Sequence, residues 1–188
     1  MKELSLNILD IAENSAKAGA RNIRIALAED GALLTIVVSD DGCGMKPDLL
    51  KRVTDPFTTT RTTRKVGLGI PLFKLAAEQT GGTLEIVSKH ISDFPEDHGT
   101  VVTAVFHKDH IDCTPLGDIV STMLTLVQGH PDIDFLFTHE AAGRTVRLDT
   151  KELREALVDV PLDSYEVLQW IGDYLREQYA ENFGLPSV

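Results

Sequence analysis

Residues 4 to 20 read LSLNILDIAENSAKAGA and carry a helical period. On a helix, Leu4, Ile8, Ile11, Ala12 and Ser15 share one face. Glu3, Asn7, Asp10, Asn14 and Lys17 share the opposite one. The first face needs an apolar surface to rest on, and strands follow at once to supply it. The second sets a carboxylate and a carboxamide, Asp10 and Asn14, four residues apart, so that they are neighbours on the helix surface. Two such oxygen donors suit a hydrated Mg²⁺. A plain surface helix with a polar stripe fits the same residues.

From Asn22 to Ala28 the pattern alternates, with Ile23, Ile25 and Leu27 on one side. Glu29-Asp30-Gly31 is a turn, and Ala32 to Ser39 is a second strand of a hairpin. Asp40-Asp41-Gly42-Cys43-Gly44 follows at the strand end. Gly42 and Gly44 allow a sharp bend and a close approach to a ligand. A carboxylate at such a strand end can accept a hydrogen bond from an exocyclic amine. Met45 to Val53 is a short helix at most, with Pro47 near its first turn.

Residues 54 to 66, TDPFTTTRTTRKV, form a loop of hydroxyls and cations. Thr59, Thr60, Arg61, Arg64 and Lys65 suit phosphate oxygens, and Phe57 can anchor the loop. Gly67-Leu68-Gly69 then opens a helix running to about Gln79, and unpaired N–H groups at such a start attract anions. Two strands, Thr83 to Ser88 and Thr100 to Phe106, complete the first part.

These stretches carry a resemblance. DIAENSAKAGA is similar to the N box, and DDGCGM to the first glycine box, of the GHKL superfamily. That superfamily joins the gyrase B subunit, the large cytosolic heat-shock chaperones, histidine kinases and MutL. DPFTTTR-TTRKVGLGIPL resembles the phenylalanine box and second glycine box of histidine kinases. GTVVTAVF resembles the closing strand. The resemblance implies an α+β, two-layer α/β sandwich of the Bergerat type. Its sheet would be mixed and mostly antiparallel, with helices on one face.

The resemblance also implies ATP and Mg²⁺ as cofactors. Asn14 would bind the metal, with Asp10 beside it as the water-activating carboxylate. Asp40 would hold the adenine amino group, backed by Thr100, and Gly42, Gly44 and Met45 would shape the base pocket. Lys17 matches a lysine of many histidine-kinase N boxes. Phe57, Thr59, Thr60, Arg61, Arg64, Lys65, Gly67, Leu68, Gly69 and Ile70 would contact the nucleotide. Two departures matter. The ATPases usually carry glutamate where this chain has Asp10, and a misplacement of about 1 Å can cost on the order of 100-fold in rate. The N box begins within a few residues of Met1, so a kinase activity is expected to act in trans. Three functions share these motifs: phosphoryl transfer to a partner protein, slow hydrolysis driving a lid switch, and a non-hydrolysing nucleotide-binding regulatory module.

Residues 108 to 188 lie outside the boxes and read as an acidic α/β extension packed on the 1–107 ATP-binding domain. Residues 1 to 107 hold 12 basic and 14 acidic residues, while 108 to 188 hold 6 and 15. Helices are expected over Pro115 to Gln128, from a Thr150 cap to about Val158, and from a Ser164 cap to about Glu181. Strands are expected at Asp134 to His139 and Thr145 to Leu148. His107, His110 and Cys113 have a metal-like spacing but lack a fourth ligand, so a polar linker is expected. The net charge of −11 argues against nucleic acid or an anionic membrane as the main partner. There is no signal-peptide pattern and no bilayer-length apolar run, and two cysteines make no disulfide framework. The expectation is a cytoplasmic protein.

Overall fold

The computed structural model describes residues 3–53 and 69–184. The opening helix, α1, spans Leu4–Lys17. Its first N–H groups would lack partners within the helix. Leu4 N–H donates to Pro115 C=O at 2.9 Å and Ser5 N–H to Leu116 C=O at 2.8 Å. Residues 115 and 116 therefore serve as a cap for α1, and the helix expected from Pro115 begins only at Ile119. Leu4, Ile8, Ile11, Ala12 and Ser15 are buried, as the period requires. Asn7, placed by period on the polar face, is buried, as α1 packs against both α3 and α4. Its Nδ2 has no hydrogen-bond partner among the described residues.

Strands β1 (Asn22–Asp30) and β2 (Leu33–Asp40) form the expected hairpin, paired from Ile23–Asp40 to Asp30–Leu33. The short α2 (Pro47–Val53) follows. Helix α3 (Gly69–Gln79) leads into a second hairpin, β3 (Thr83–Lys89) and β4 (Gly99–His107). Helix α4 (Ile119–Gly129) is capped by Asp118, whose carboxylate accepts from Ser121 N–H. A third hairpin is β5 (Asp134–Ala141) and β6 (Arg144–Asp149). Helices α5 (Thr150–Leu157) and α6 (Tyr165–Phe183) close the chain. The α5 cap is Asp149 rather than Thr150. Asp149 accepts from Lys151 and Glu152 N–H, while the Thr150 hydroxyl accepts from Phe135 N–H at 2.7 Å.

All six described strands join one sheet, in the order β3-β4-β2-β1-β5-β6. Every neighbouring pair is antiparallel except β1 and β5, which run parallel from Asn22–Asp134 to Glu29–Ala141. One face carries Ile23, Ile25, Leu27, Leu34, Ile36, Val38, Val102, Ala104, Phe106, Phe135, Phe137, Val146 and Leu148, all buried. The helix layer covers this face. Helix α1 contacts α3 and α4, α4 contacts α6, α3 lies on β3 and β4, α1 on β1 and β2, and α6 on β6. The other face has no helix layer among the described residues, and Arg24, Val87, Val101 and Arg147 stand exposed there. The fold is thus a two-layer α+β sandwich with a mixed, mostly antiparallel sheet.

At the C-terminal end of β1, a polar chain ties α6 to the sheet. His139 is buried; its Nδ1 meets Tyr179 Oη at 2.9 Å and its Nε2 meets Glu29 Oε1 at 3.0 Å. Glu29 also pairs with Lys108. Burial pushes the His139 imidazole below its ordinary value, against the pull of Glu29. Burial works against the Glu29 carboxylate too, but Lys108 and His139 together hold it lower.

Candidate functional site

The helix layer leaves part of the sheet unroofed. Along β4, Val102, Ala104 and Phe106 are buried under the helices, whereas Thr100 on the same face is only half-buried. On β3, Ile86 and Ser88 are also half-buried on that face, as is Asp40 at the end of β2. Register explains the grouping: Asp40 pairs with Thr100, and Thr100 with Ser88, so the three form one row across the sheet. This polar row, the polar stripe of α1 and the start of α3 border what we take as the candidate cleft.

Asp40 is held from two sides. Its Oδ2 accepts from Ser15 Oγ at 2.6 Å and its Oδ1 from Gly42 N–H at 2.9 Å. Thr100 Oγ1 shares a 2.8 Å hydrogen bond with Ser88 Oγ, which also accepts from Met45 N–H at 2.8 Å. The turn after Asp40 is tightly enclosed. A Cβ on Gly44, whose φ is +67°, would lie 2.0 Å from the Lys89 carbonyl oxygen. A Cβ on Gly42 would lie 3.0 Å from both Ala18 Cβ and Asp40 Oδ1. Glycine at these positions lets the backbone seal the end of the cleft. His98 Nδ1 contacts Gly42 C=O at 2.7 Å and steadies the same turn.

The other wall is the polar stripe of α1. Asp10 and Asn14 are half-buried on it, one turn apart. Asp10 reaches α3: a Cβ on Gly69 would fall 1.7 Å from Asp10 Oδ2, so the carboxylate occupies the space that the missing side chain leaves. That end of α3 carries the positive end of the helix dipole. Ile70 is half-buried beside it. Lys17 stands at the outer end of the stripe, 69% exposed, and pairs with Glu13 at 3.8 Å. Phe57, Thr59, Thr60, Arg61, Arg64, Lys65, Gly67 and Leu68 lie outside the described residues.

Sequence reasoning missed Ser15, Ser88 and His98. Ser15 was counted with the apolar face, but it follows Asn14 directly, and a hydroxyl on a buried face needs a partner. Ser88 ends a strand next to Thr100 only by register, which the sequence does not display. A shallow depression of about 350 Å³ lies beside the cleft, bordered by Asn22, Arg24, Ser39, Asp41, Asp134 and Asp149. Its carboxylates have local duties. Against the cost of burial, the Asn22 side chain and the Asn22 and Arg21 N–H groups hold Asp41 below its ordinary value. Asp40 borders this depression as well as the row it forms with Thr100 and Ser88.

A sheet covered by helices on one face, with a glycine turn after β2 and the N-terminus of α3 beside Asp10, defines a two-layer α+β domain. Residues 1–110 match the family model described as histidine kinase-, DNA gyrase B-, and HSP90-like ATPase. That is more than half of the chain, and the chain belongs to this family. An NtrY-like sensor histidine kinase of Rickettsia prowazekii is 25% identical over 107 residues, 56% of this chain and 17% of that protein. The DNA mismatch repair protein MutL of Rhizorhabdus wittichii is 44% identical over 52 residues, 28% of this chain and 9% of that protein. The chain thus matches less than a fifth of the length of these relatives. The Aquifex aeolicus MutL ATPase domain, solved with ADP, has a TM-score of 0.55 at 13% identity, covering 84% of this chain and 70% of that one. The N-terminal domain of a DNA repair protein gives 0.57 at 17% identity, over 79% of this chain and 53% of that one. At these identities the structural likeness is one of fold. No described helix is long and apolar enough to cross a membrane.

Proposed function

We propose that the chain binds Mg-ATP in the cleft between α1 and α3 and uses it for phosphoryl transfer to a partner protein or for slow hydrolysis that drives a lid switch. The observation that carries this reading is convergence. Asp10 and Asn14, Asp40 and the glycine turn, Gly69, and Thr100 come from four separate stretches, linked by the Asp40–Thr100 pairing, the Ser15–Asp40 hydrogen bond and the Asp10–Gly69 contact, and this reading assigns them to one pocket. The ATPase family to which the chain belongs supports the nucleotide.

Asp40 keeps a carboxylate, already fixed by Ser15 and Gly42, available to accept the adenine exocyclic amine. Thr100 and Ser88 back it from the floor. The N-terminus of α3 receives phosphate oxygens, where N–H groups need acceptors. Asp10 and Asn14 fit Mg²⁺, as neighbouring, half-open oxygen donors that leave room for retained waters. Bound there, the metal would supply charge neutralisation at the phosphates. Asp10, in contact with Gly69, is placed to orient a water or hydroxyl at the terminal phosphate. Arg61, Arg64 and Lys65 are the cations this reading assigns to the loop before α3. Phosphoryl transfer needs mainly such positioning and charge stabilisation.

The test is calorimetric titration with ATP, with and without Mg²⁺, combined with release and transfer assays using γ-labelled ATP. Binding with phosphate release that vanishes in Asp10→Asn supports the ATPase form. Label moving to a protein in a cell lysate supports the kinase form. Binding with neither leaves a nucleotide-responsive module. No binding at all overturns the proposal.

A further inference from the structure

The two edges of the sheet are finished differently. At β6, Gln178 of α6 accepts from Arg147 N–H at 3.0 Å and donates to Arg147 C=O at 2.9 Å. Arg144 reaches Asn182 C=O at 2.7 Å. A side-chain amide and a helix thus occupy that edge, as edge strands in soluble proteins usually require. The opposite edge, β3, has β4 on one side and α3 over its inner face. Among the described residues, no backbone hydrogen bond reaches it from outside. Its sequence, TLEIVSK, has no proline and no glycine. On the open face beside it, Val87 is 50% exposed and its β4 partner Val101 38%. Phe94, 48% exposed, stands near Lys89, whose ammonium lies 5.8 Å from the ring centre.

Among the described residues β3 is paired on one side only, with the Gly44 turn against its Lys89 end; such a strand is a template for another strand, and its charges say which. Glu85, Val87 and Lys89 alternate along the open face. Glu85 has no ion pair among the described residues. Consider β3 pairing with a second β3, antiparallel, about a two-fold axis at Val87. Each Glu85 then faces the Lys89 of the other copy, and Val87 faces Val87. An axis at Glu85 or at Lys89 would set like charges opposite each other, which is unfavourable. The pattern is self-complementary in one register, as a two-fold interface must be. Lys89 already pairs with Asp97, but both side chains are exposed, and such pairs are weak enough to exchange.

We infer that β3 is a self-association edge, through which two copies of this chain join antiparallel into one continuous sheet centred on Val87. The inference does not depend on the nucleotide reading. It is tested by sedimentation velocity across a concentration series, on the wild type and on Glu85→Lys, Lys89→Glu and the double exchange. The wild type should form dimers. Each single reversal turns two attractive cross-strand pairs into repulsive ones and should weaken the dimer by roughly tenfold or more. The double exchange should restore it. Glu85→Lys leaves the Lys89–Asp97 pair in place, and circular dichroism checks that each variant is folded. A monomeric wild type at every concentration, dimers indifferent to both single changes, or no recovery in the double variant would each overturn the inference.

Discussion

Asp40→Asn tests the adenine contact with little damage to its surroundings. In the native turn, Asp40 Oδ1 accepts from Gly42 N–H and Oδ2 from Ser15 Oγ. Asparagine can keep its carbonyl oxygen on Gly42. Its amide then faces Ser15, whose hydroxyl can accept from it and donate to Ile11 C=O, already 3.3 Å away. The turn therefore survives, and the change falls on what the ligand meets. A charged acceptor becomes a neutral one, with a loss of about 1.5–3 kcal/mol for a hydrogen bond to an ionised group. Affinity should fall by about 10- to 150-fold. Calorimetry with ATP and with ADP measures it, and a thermal melt without nucleotide checks the fold. Both nucleotides should lose equally, because the contact is with the base. A folded variant that binds as tightly as the wild type, or a loss confined to ATP, would refute the assignment.

Gly44→Ala should destabilise the chain by about 1–3 kcal/mol or more in urea unfolding, because its Cβ meets the Lys89 carbonyl at 2.0 Å and its φ is +67°. Phe73→Ala should cost about 3–5 kcal/mol by the same measurement, since the ring is fully buried 5.4 Å from Phe106 and fixes α3 on β4. Stability should fall on acidification. His139 is lowered from 6.5 and Glu29 from 4.5, so each contribution is complete above its ordinary value and is lost as pH falls through the folded one. Urea melts from neutral pH downward should show a decline beginning below about pH 6.5, and His139→Gln should remove that first part.

The hairpins and the opening helix were readable because their signals are local. Period and turn residues placed β1, β2 and α1 within a few positions. The turn at Gly42 and Gly44 was readable because only a few residue types serve such a bend. Long-range features were not readable. Asn7 sits on the polar stripe by period, yet the packed helix layer buries it. Ser15 looked like core filler until Asp40, 25 residues away in sequence, came beside it. Pro115 and Leu116 look like a helix start, but their carbonyls are taken by the N-terminus of α1.

The parallel pairing of β5 with β1 has a practical consequence. A fragment ending at residue 107 would retain every described side chain that lines the cleft. It would also strip β1 of the neighbour that bonds it from Asn22 to Glu29, and α1 of the carbonyls that cap it. Such a truncated piece would offer a raw β-ribbon flank to its own kind, and it should clump in the test tube even though its ligand-facing half is intact.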